Sequence, residues 1–436
     1  MNSFSLKTFG CKTNQYEGEA LRELLISQGL EEVTEKVHFF IINACSVTAK
    51  AEKEWLKFAR KLKEENPGSL LVLTGCFLPE SALLEELKNY FHLVIGFGER
   101  NNLPEFLKSE TVGYFKSNLA VFEPLTVKAH KGHTRAFLKV EDGCHLNCSY
   151  CIVPLLRGSQ IRSKPMEIVK EEFLRLLKGG FYEVVLTGTH LSAYGLDYGL
   201  KLTDLIKKLL NISYPFRLRV SSIEPQEVQD ELLALMKDDP RIARHLHLPM
   251  QSGSASILKA MKRQYTPEDY LNQVEKARFY LPDIGISTDV MVGFPGEKEE
   301  DFEKTLWMLE NLNLVKVHLF PFSPRPHTLA NHLPQINRVI IKERMKRAQT
   351  AADWSLNRYA NSFVGKTVEV LTEKKVEQFY EGYSSQYLKV RFPRLNKEKA
   401  LIDNGGEEER ERKLGKIHKV IIEKITGNYL EGVVKG

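Results

Sequence analysis

Up to about Pro124 the chain alternates short apolar runs, at 4–10, 38–44, 70–75 and 93–98, with amphipathic stretches. That alternation predicts βαβ units and a parallel sheet. A polar stretch without periodicity follows at 127–134, where Lys128, His130, Lys131 and His133 surround Gly132, and it reads as a linker. From Arg135 the alternation restarts at longer spacing. Strand candidates at 135–140, 183–188, 217–222, 245–250, 285–293 and 316–323 are separated by helical patterns, among them 165–179, 225–237, 267–280 and 299–312. Six βα units predict a partial barrel, because a closed eight-unit barrel needs more chain. A basic amphipathic helix at 338–360 leads into runs at 367–372, 387–392, 419–425 and 429–434 that are rich in Val, Ile and Tyr. Most of these have no helix between them, which predicts a small antiparallel β-barrel. The charged run at 407–413 reads as a solvated loop.

The expected fold is therefore α/β in three parts: a parallel-sheet domain at 1–125, a partial (β/α)6 TIM-like barrel at 134–360 and a small β-barrel at 363–436. A length of 436 residues, too long for one ordinary core, agrees with several domains. With 42% hydrophobic and 27% charged residues the chain reads as folded. No apolar run approaches the roughly 18 residues that span a bilayer, and the start lacks the features of a signal peptide, so a cytoplasmic protein without a membrane partner is expected. The net charge of +6 gives only weak support for a polyanionic partner. The six cysteines change the picture more, since in a reducing compartment their placement points to metal ligation and away from disulfides.

Three of them form Cys144-His-Leu-Asn-Cys148-Ser-Tyr-Cys151, a CxxxCxxC loop just beyond the first barrel strand. Three thiolates on a short loop hold three irons of a [4Fe-4S] cluster and leave the fourth open. An open iron can chelate the amino and carboxylate groups of S-adenosylmethionine, so that one electron cleaves the sulfonium and yields a 5′-deoxyadenosyl radical. The alternative, a structural zinc site, wants a fourth Cys or His at suitable spacing, and His145 is poorly placed to supply it. Tyr150 is a candidate to pack against the adenine of that cofactor, or is simply a packed loop aromatic.

Cys11, Cys45 and Cys76 each follow a predicted strand of the first part. Taken singly, each reads as a buried apolar residue. Their shared position at the carboxyl ends of parallel strands lets them converge on one sheet edge and makes a second three-thiolate cluster geometrically plausible. The barrel repeats the pattern with polar residues after its strands, where barrel sites lie. These are Gly188 and Thr189, then Ser221, Ser222 and Glu224, then Gln251 and Ser252, then Asp289 and Gly293, and finally Ser323 and Arg325. From these, Tyr150, Gly188, Thr189, Ser222, Glu224, Gln251 and Asp289 are the candidate cofactor-binding residues. No acid–base dyad stands out.

At these residues the chain resembles the radical S-adenosylmethionine methylthiotransferase family over nearly its whole length. Gly10-Cys-Lys-Thr-Asn-Gln-Tyr-Glu17, Ser221-Ser-Ile-Glu224 and His245-Leu-His-Leu-Pro-Met-Gln-Ser-Gly-Ser254 are similar to the branch acting on N6-threonylcarbamoyladenosine at position 37 of tRNA, beside the anticodon. The resemblance implies that Cys11, Cys45 and Cys76 hold an auxiliary [4Fe-4S] cluster carrying or delivering sulfur, and that Cys144, Cys148 and Cys151 hold the radical cluster. It also implies that the tail is a TRAM domain, a small RNA-binding barrel. Three departures are visible: His327 where a glycine is usual, Lys164 where an arginine is common, and Phe77-Leu78 in place of a more polar pair.

The C2–H of adenine offers no leaving group and no acidic proton, so radical chemistry suits it. In the family reading one S-adenosylmethionine methylates a cluster-associated sulfur and a second supplies the radical. For a tRNA anticodon loop, Tyr380, Tyr383, Tyr387 and Phe392 interleave with Lys389, Arg391 and Arg394, a pattern for base stacking and phosphate contact, although half of these aromatics are expected in the barrel core. The helix bearing Arg338, Lys342, Arg344, Lys346 and Arg347 either extends that surface or is a solvated face. Alternative substrates are isopentenyladenosine in tRNA and an aspartate of a ribosomal protein. A non-catalytic iron–sulfur RNA-binding redox sensor is the alternative from another class. The sequence names neither the electron donor nor the sulfur source.

Overall fold

In the computed structural model, residues 3–77, 90–115, 117–120, 122–393 and 414–435 are described. The first alternation becomes a six-stranded sheet in the order β2-β1-β3-β4-β5-β6, with every pair parallel. Its strands are β1 (Ser3–Thr8), β2 (Glu31–Glu32), β3 (Phe39–Cys45), β4 (Leu70–Cys76), β5 (Leu93–Ile95) and β6 (Gly113–Phe115). β3 and β4 are continuous apolar runs because helices cover both their faces. One cover is α2 (Ala49–Glu65), which buries Trp55, Ala59 and Leu62 against Ile42, Leu71 and Leu73 and is capped by Thr48, whose hydroxyl accepts from Ala51 N at 3.2 Å. On the other side α1 (Lys12–Ser27) buries Tyr16, Ala20, Leu21 and Leu25 in a core that continues without a break into the barrel. The stretch expected to be a linker is irregular but packed: Val127 and His130 are buried, and burial pushes the His130 imidazole down to about 4.

The barrel strands are β7 (Arg135–Lys139), β10 (Glu183–Thr187), β11 (Arg217–Val220), β12 (His245–His247), β13 (Gly285–Val292) and β14 (Lys316–Pro321), with the short pair β8 (Glu141–Asp142) and β9 (Arg162–Ser163) beside them. β7, β10 and β11 form one parallel sheet and β12, β13 and β14 another, and parallel bridges Leu218–Ile242 and Ser222–His247 link them. β7 and β14 each pair on one side only among the described residues, which leaves the barrel open as expected. Helices Met166–Lys178, Pro267–Tyr280 and Glu299–Asn311 fall where periodicity placed them. The pattern at 225–237 begins instead with a 3-10 turn, Pro225–Glu227, before the helix Asp230–Asp238.

The tail closes as a five-stranded barrel in the order β15-β16-β17-β19-β18. These strands are β15 (Thr367–Val376), β16 (Phe379–Ser384), β17 (Lys389–Pro393), β18 (Ile417–Thr426) and β19 (Tyr429–Val434). β16 was not among the expected runs, because Gly382 interrupts its apolar pattern. That glycine is required, since a Cβ there would lie 1.8 Å from the Leu371 carbonyl oxygen. The charged run at 407–413 lies outside the described residues.

The turn after β16 caps the amino-terminal end of the open barrel. Arg217 donates to the Tyr383 carbonyl at 3.1 Å, and Arg219 donates to those of Ser384 and Ser385 at 3.1 and 3.0 Å. Both arginines also pair with Glu183, and the Tyr387 ring stacks on His245 at 4.7 Å. The opposite, carboxyl-terminal end is left for a site. No described helix is long and apolar enough to cross a membrane.

Just past β14, His327 holds φ at 64°, a left-handed conformation that favours glycine. The side chain is exposed and contributes no packing to offset this. His327→Gly is expected to stabilise the protein by about 0.5–1 kcal/mol in denaturant unfolding. A loss of stability would show that the backbone is not strained there.

Candidate active site

Cys11, Cys45 and Cys76 reach one sheet edge through three local devices. Cys45 and Cys76 end β3 and β4 as directly paired residues. Gly10, at φ 100°, turns the chain from β1 to Cys11 at the start of α1, and it passes so close that a Cβ would lie 2.6 Å from Cys45 Cβ. Asn14 then ties both strand ends together, its Nδ2 donating to the carbonyls of Phe9 at 2.9 Å and Ala44 at 2.7 Å. Burial pushes the Cys76 thiol up to about 12, and burial with the neighbouring Cys11 raises Cys45.

Cys144, Cys148 and Cys151 lie on the loop after β8. Gly143, at φ 96°, begins it against the Gln160 carbonyl, which would stand 1.9 Å from a Cβ. Cys144 N donates to the Gly158 carbonyl at 3.1 Å and Ser149 N to that of Met261 at 3.0 Å. Arg263, paired with Glu224, donates to Cys148 Sγ at 3.2 Å. Burial and the adjacent thiols push Cys144 and Cys151 up to about 12. Three thiolates on one short loop, with a fourth position left open, suit an iron–sulfur cube.

One cysteine of each triad, Cys11 and Cys151, lines a shared cavity of about 770 Å³. Of the sequence candidates, Tyr150, Gly188, Ser222 and Asp289 line it, together with Ser221 and Ser323. Thr189 does not, because its hydroxyl donates to Asp142 at 2.9 Å. Glu224 is occupied by Arg263, and Arg325 by Glu52. Gln251 is buried at φ 62° with Oε1 unpartnered among the described residues. Ser252 is buried beside Thr305, and Gly293 packs under Ile341.

Sequence reasoning missed Lys12, His247 and His318, which line the same cavity. His247 pairs with Asp289 at 3.3 Å, and burial pushes His318 down to about 4. The alternation of β12, which places His245 and His247 on one face, was the available signal. Beside Gly188, Glu141 accepts from His190 N at 2.7 Å with Oε2, whereas its buried Oε1 has no partner among the described residues. Burial, with Asp142 adding to it, pushes Glu141 up to about 8. An unsatisfied acceptor just after the first barrel strand, beside the Gly188 that follows the second, fits an ammonium such as that of S-adenosylmethionine.

The expected RNA-facing aromatics are placed differently. Tyr380 and Phe392 are buried in the small barrel, and Tyr383 and Tyr387 stack on each other at 4.8 Å against the open parallel barrel, beside Arg135. Their rings are therefore committed to packing. Lys389 donates to the Tyr429 hydroxyl at 2.6 Å and Arg391 pairs with Glu381, while Arg394 lies outside the described residues. On the helix Arg338–Asn361, Arg344 and Arg347 pair with Glu297, Glu299 and Glu303. These two arginines are structural, and Arg338, Lys342 and Lys346 form the remaining basic face.

A buried ion network joins the two halves of the site. Glu17, on α1, takes Lys139 at 2.6 Å, Arg157 at 2.8 Å and Arg100 at 3.2 Å. Arg157 also donates to Asn14 Oδ1 at 2.7 Å, and Tyr16 bonds to Glu172, which pairs with Lys164 at 2.6 Å. Asn14, Tyr16 and Glu17 thus weld the first sheet to the barrel.

A three-thiolate loop at the mouth of an open parallel barrel defines a radical S-adenosylmethionine protein. The Radical SAM superfamily matches residues 138–309, and the family described as "Uncharacterized protein family UPF0004" matches 3–96. A threonylcarbamoyladenosine tRNA methylthiotransferase MtaB of Thermotoga maritima is 36% identical over 403 residues, covering 90% of this chain and 92% of that protein. A tRNA-2-methylthio-N(6)-dimethylallyladenosine synthase of Acetivibrio thermocellus is 34% identical, covering 85% and 80%. The radical S-adenosylmethionine methyltransferase TsrM of Kitasatospora setae shares the fold, with a TM-score of 0.56 at 14% identity over 76% of this chain and 75% of that one. The chain belongs to the radical S-adenosylmethionine methylthiotransferases. Membership implies a [4Fe-4S] cluster and S-adenosylmethionine as cofactors.

Burial pushes the Glu17 carboxyl up, but Arg100, Arg157 and Lys139 outweigh it and hold the group well below the usual carboxylate range. Its contribution to stability is therefore present above the unfolded value of about 4.3 and is lost as pH falls through the depressed folded value. Glu17→Ala leaves three buried cations to share two anions, Asp142 beside Lys139 and Arg157 and Glu123 beside Arg100, so that one buried charge is uncompensated, and is expected to cost about 3–5 kcal/mol in denaturant unfolding at neutral pH, with the difference from wild type shrinking in acid. A cost below about 1 kcal/mol would show that the network is not holding the halves together.

Proposed function

We propose that this protein is a tRNA methylthiotransferase that converts N6-threonylcarbamoyladenosine at position 37 to its 2-methylthio derivative, acting on the anticodon loop. The observation that carries the reading is the single cavity lined by both Cys11 and Cys151. Cys144, Cys148 and Cys151 would hold the radical cluster, and Cys11, Cys45 and Cys76 an auxiliary [4Fe-4S] cluster. When bound, these groups would pass on the electron that cleaves S-adenosylmethionine and carry or deliver the sulfur that is transferred. The chain's own part is to orient and to exclude water. Gly188, Ser222 and Tyr150 shape the cofactor side, Glu141 Oε1 offers an acceptor to its ammonium, and the His247–Asp289 pair lines the chamber where adenine C2 would sit.

The division at 1–125, 134–360 and 363–436 follows this assignment of roles. In it the small barrel is a TRAM-like RNA module and Arg338, Lys342 and Lys346 add phosphate contacts. Location in the cytoplasm suits a tRNA substrate. The electron donor and the sulfur source are left unassigned. The dimethylallyl reading is the second one, favoured by the relative from Acetivibrio thermocellus. A redox sensor that binds RNA without catalysis is disfavoured, because it needs no chamber between the two triads.

The test is mass spectrometry of tRNA nucleosides and of 5′-deoxyadenosine after incubation of the reduced, cluster-loaded enzyme with S-adenosylmethionine and threonylcarbamoylated tRNA. The wild type should form both products. Cys144→Ala should form neither. The combined change of Cys11, Cys45 and Cys76 to Ala should lower bound iron by about four atoms, retain 5′-deoxyadenosine and form no methylthio nucleoside. Methylthio transfer with full iron in the triple variant would refute the two-cluster reading.

A further inference from the structure

We propose that Lys12 is the specificity-determining residue of the chamber, its ammonium pairing with the carboxylate of the N6-threonylcarbamoyl group. This rests on the substrate reading given above.

Lys12 directly follows Cys11, is half-buried and lines the cavity. Among the described residues it forms no ion pair, and the charges that act on it most strongly are those of Tyr387, Arg135, Arg219 and Cys11. Arg135 and Arg219 are themselves engaged, the first by Glu373 at 2.5 Å and the second by Glu183 at 2.7 Å. Asp289 lines the same cavity and feels the Lys12 charge, but its carboxylate is paired with His247 at 3.3 Å. Lys12 therefore brings the one lysine or arginine charge among the described lining residues, with no anion of its own. A cation withdrawn from water among other cations is costly unless a ligand supplies the missing charge.

Threonylcarbamoyladenosine carries one carboxylate, and its chemistry says where that group falls. The ureido N–H attached to the threonyl carbon can close onto ring N1, forming a six-membered hydrogen-bonded ring. This turns the threonyl group to the edge of adenine that bears C2. The carbon to be modified and the carboxylate then lie on the same edge, so a cation reading the carboxylate has to stand next to the sulfur-delivering triad. Lys12 stands there by being the residue after Cys11. A dimethylallyl group has no charge to offer, and in its presence the ammonium would be left unpaired, which selects against that substrate.

The experiment compares cluster-loaded wild type, Lys12→Met and Lys12→Arg on two anticodon stem-loops, one with N6-threonylcarbamoyladenosine and one with its uncharged threoninamide analogue. Wild type should favour the acid by about 10- to 100-fold in kcat/KM, mainly through KM, the size expected of a charged hydrogen bond. Lys12→Met should bring the two substrates to within about threefold, chiefly by slowing the acid and without slowing the amide, and Lys12→Arg should keep most of the preference. The wild-type comparison needs no variant, so equal use of acid and amide by wild type overturns the proposal even if Lys12→Met does not fold. Equal slowing of both substrates in Lys12→Met also overturns it and assigns the residue to S-adenosylmethionine or to the auxiliary triad. If wild type fails on both stem-loops, the substrate reading falls, and this inference falls with it.

Discussion

Glu17 is fully buried and takes three cations from three parts of the chain: Arg100 from the edge of the first sheet, Lys139 from the first barrel strand, and Arg157 from the helix after the CxxxCxxC loop. Each of these groups would be costly to bury alone, and together they are tolerated only in one arrangement. Arg157 extends the constraint, because its other nitrogen holds Asn14, which in turn holds the carbonyls just ahead of Cys11 and Cys45. The separation of the two cysteine triads is therefore set by buried charge, and the cavity between them is a consequence of it.

A second constraint works from below. The turn at 384–387 accepts hydrogen bonds from Arg217 and Arg219 at the amino-terminal ends of the barrel strands, and Tyr387 stacks there on His245. An open barrel exposes its lumen at both ends, and this turn fills one of them. The small barrel thus serves the site structurally, whatever else its outer surface binds. The same packing withdraws Tyr383 and Tyr387 from any role in stacking on bases.

The strands and both cysteine sets could be read along the chain because their signals are local. Period-two apolar runs mark strands, CxxxCxxC is compact, and Cys11, Cys45 and Cys76 announce themselves by following three such runs. What could not be read depends on partners remote in sequence. Glu17 meets Arg157 across 140 positions, and nothing near either residue distinguishes a buried weld from a surface charge. Tyr380 and Phe392 carry the same local pattern whether they stack on a base or fill a barrel. Glu224 and Thr189 fall after strands as cofactor residues should, yet Arg263 and Asp142 occupy them. Lys12 was in view inside a recognised motif, and only the cavity gives it a task.

In the proposed function, radical generation and sulfur delivery share one chamber. Electron paramagnetic resonance tests it most directly, on protein with both clusters reduced by one electron and on the two variants that each retain one cluster. Clusters held by the two triads, one cysteine of each lining the same cavity, would bring the two spins within dipolar range. The account predicts a broadened, split spectrum that the two single-cluster spectra do not sum to. A spectrum equal to their plain sum would contradict it.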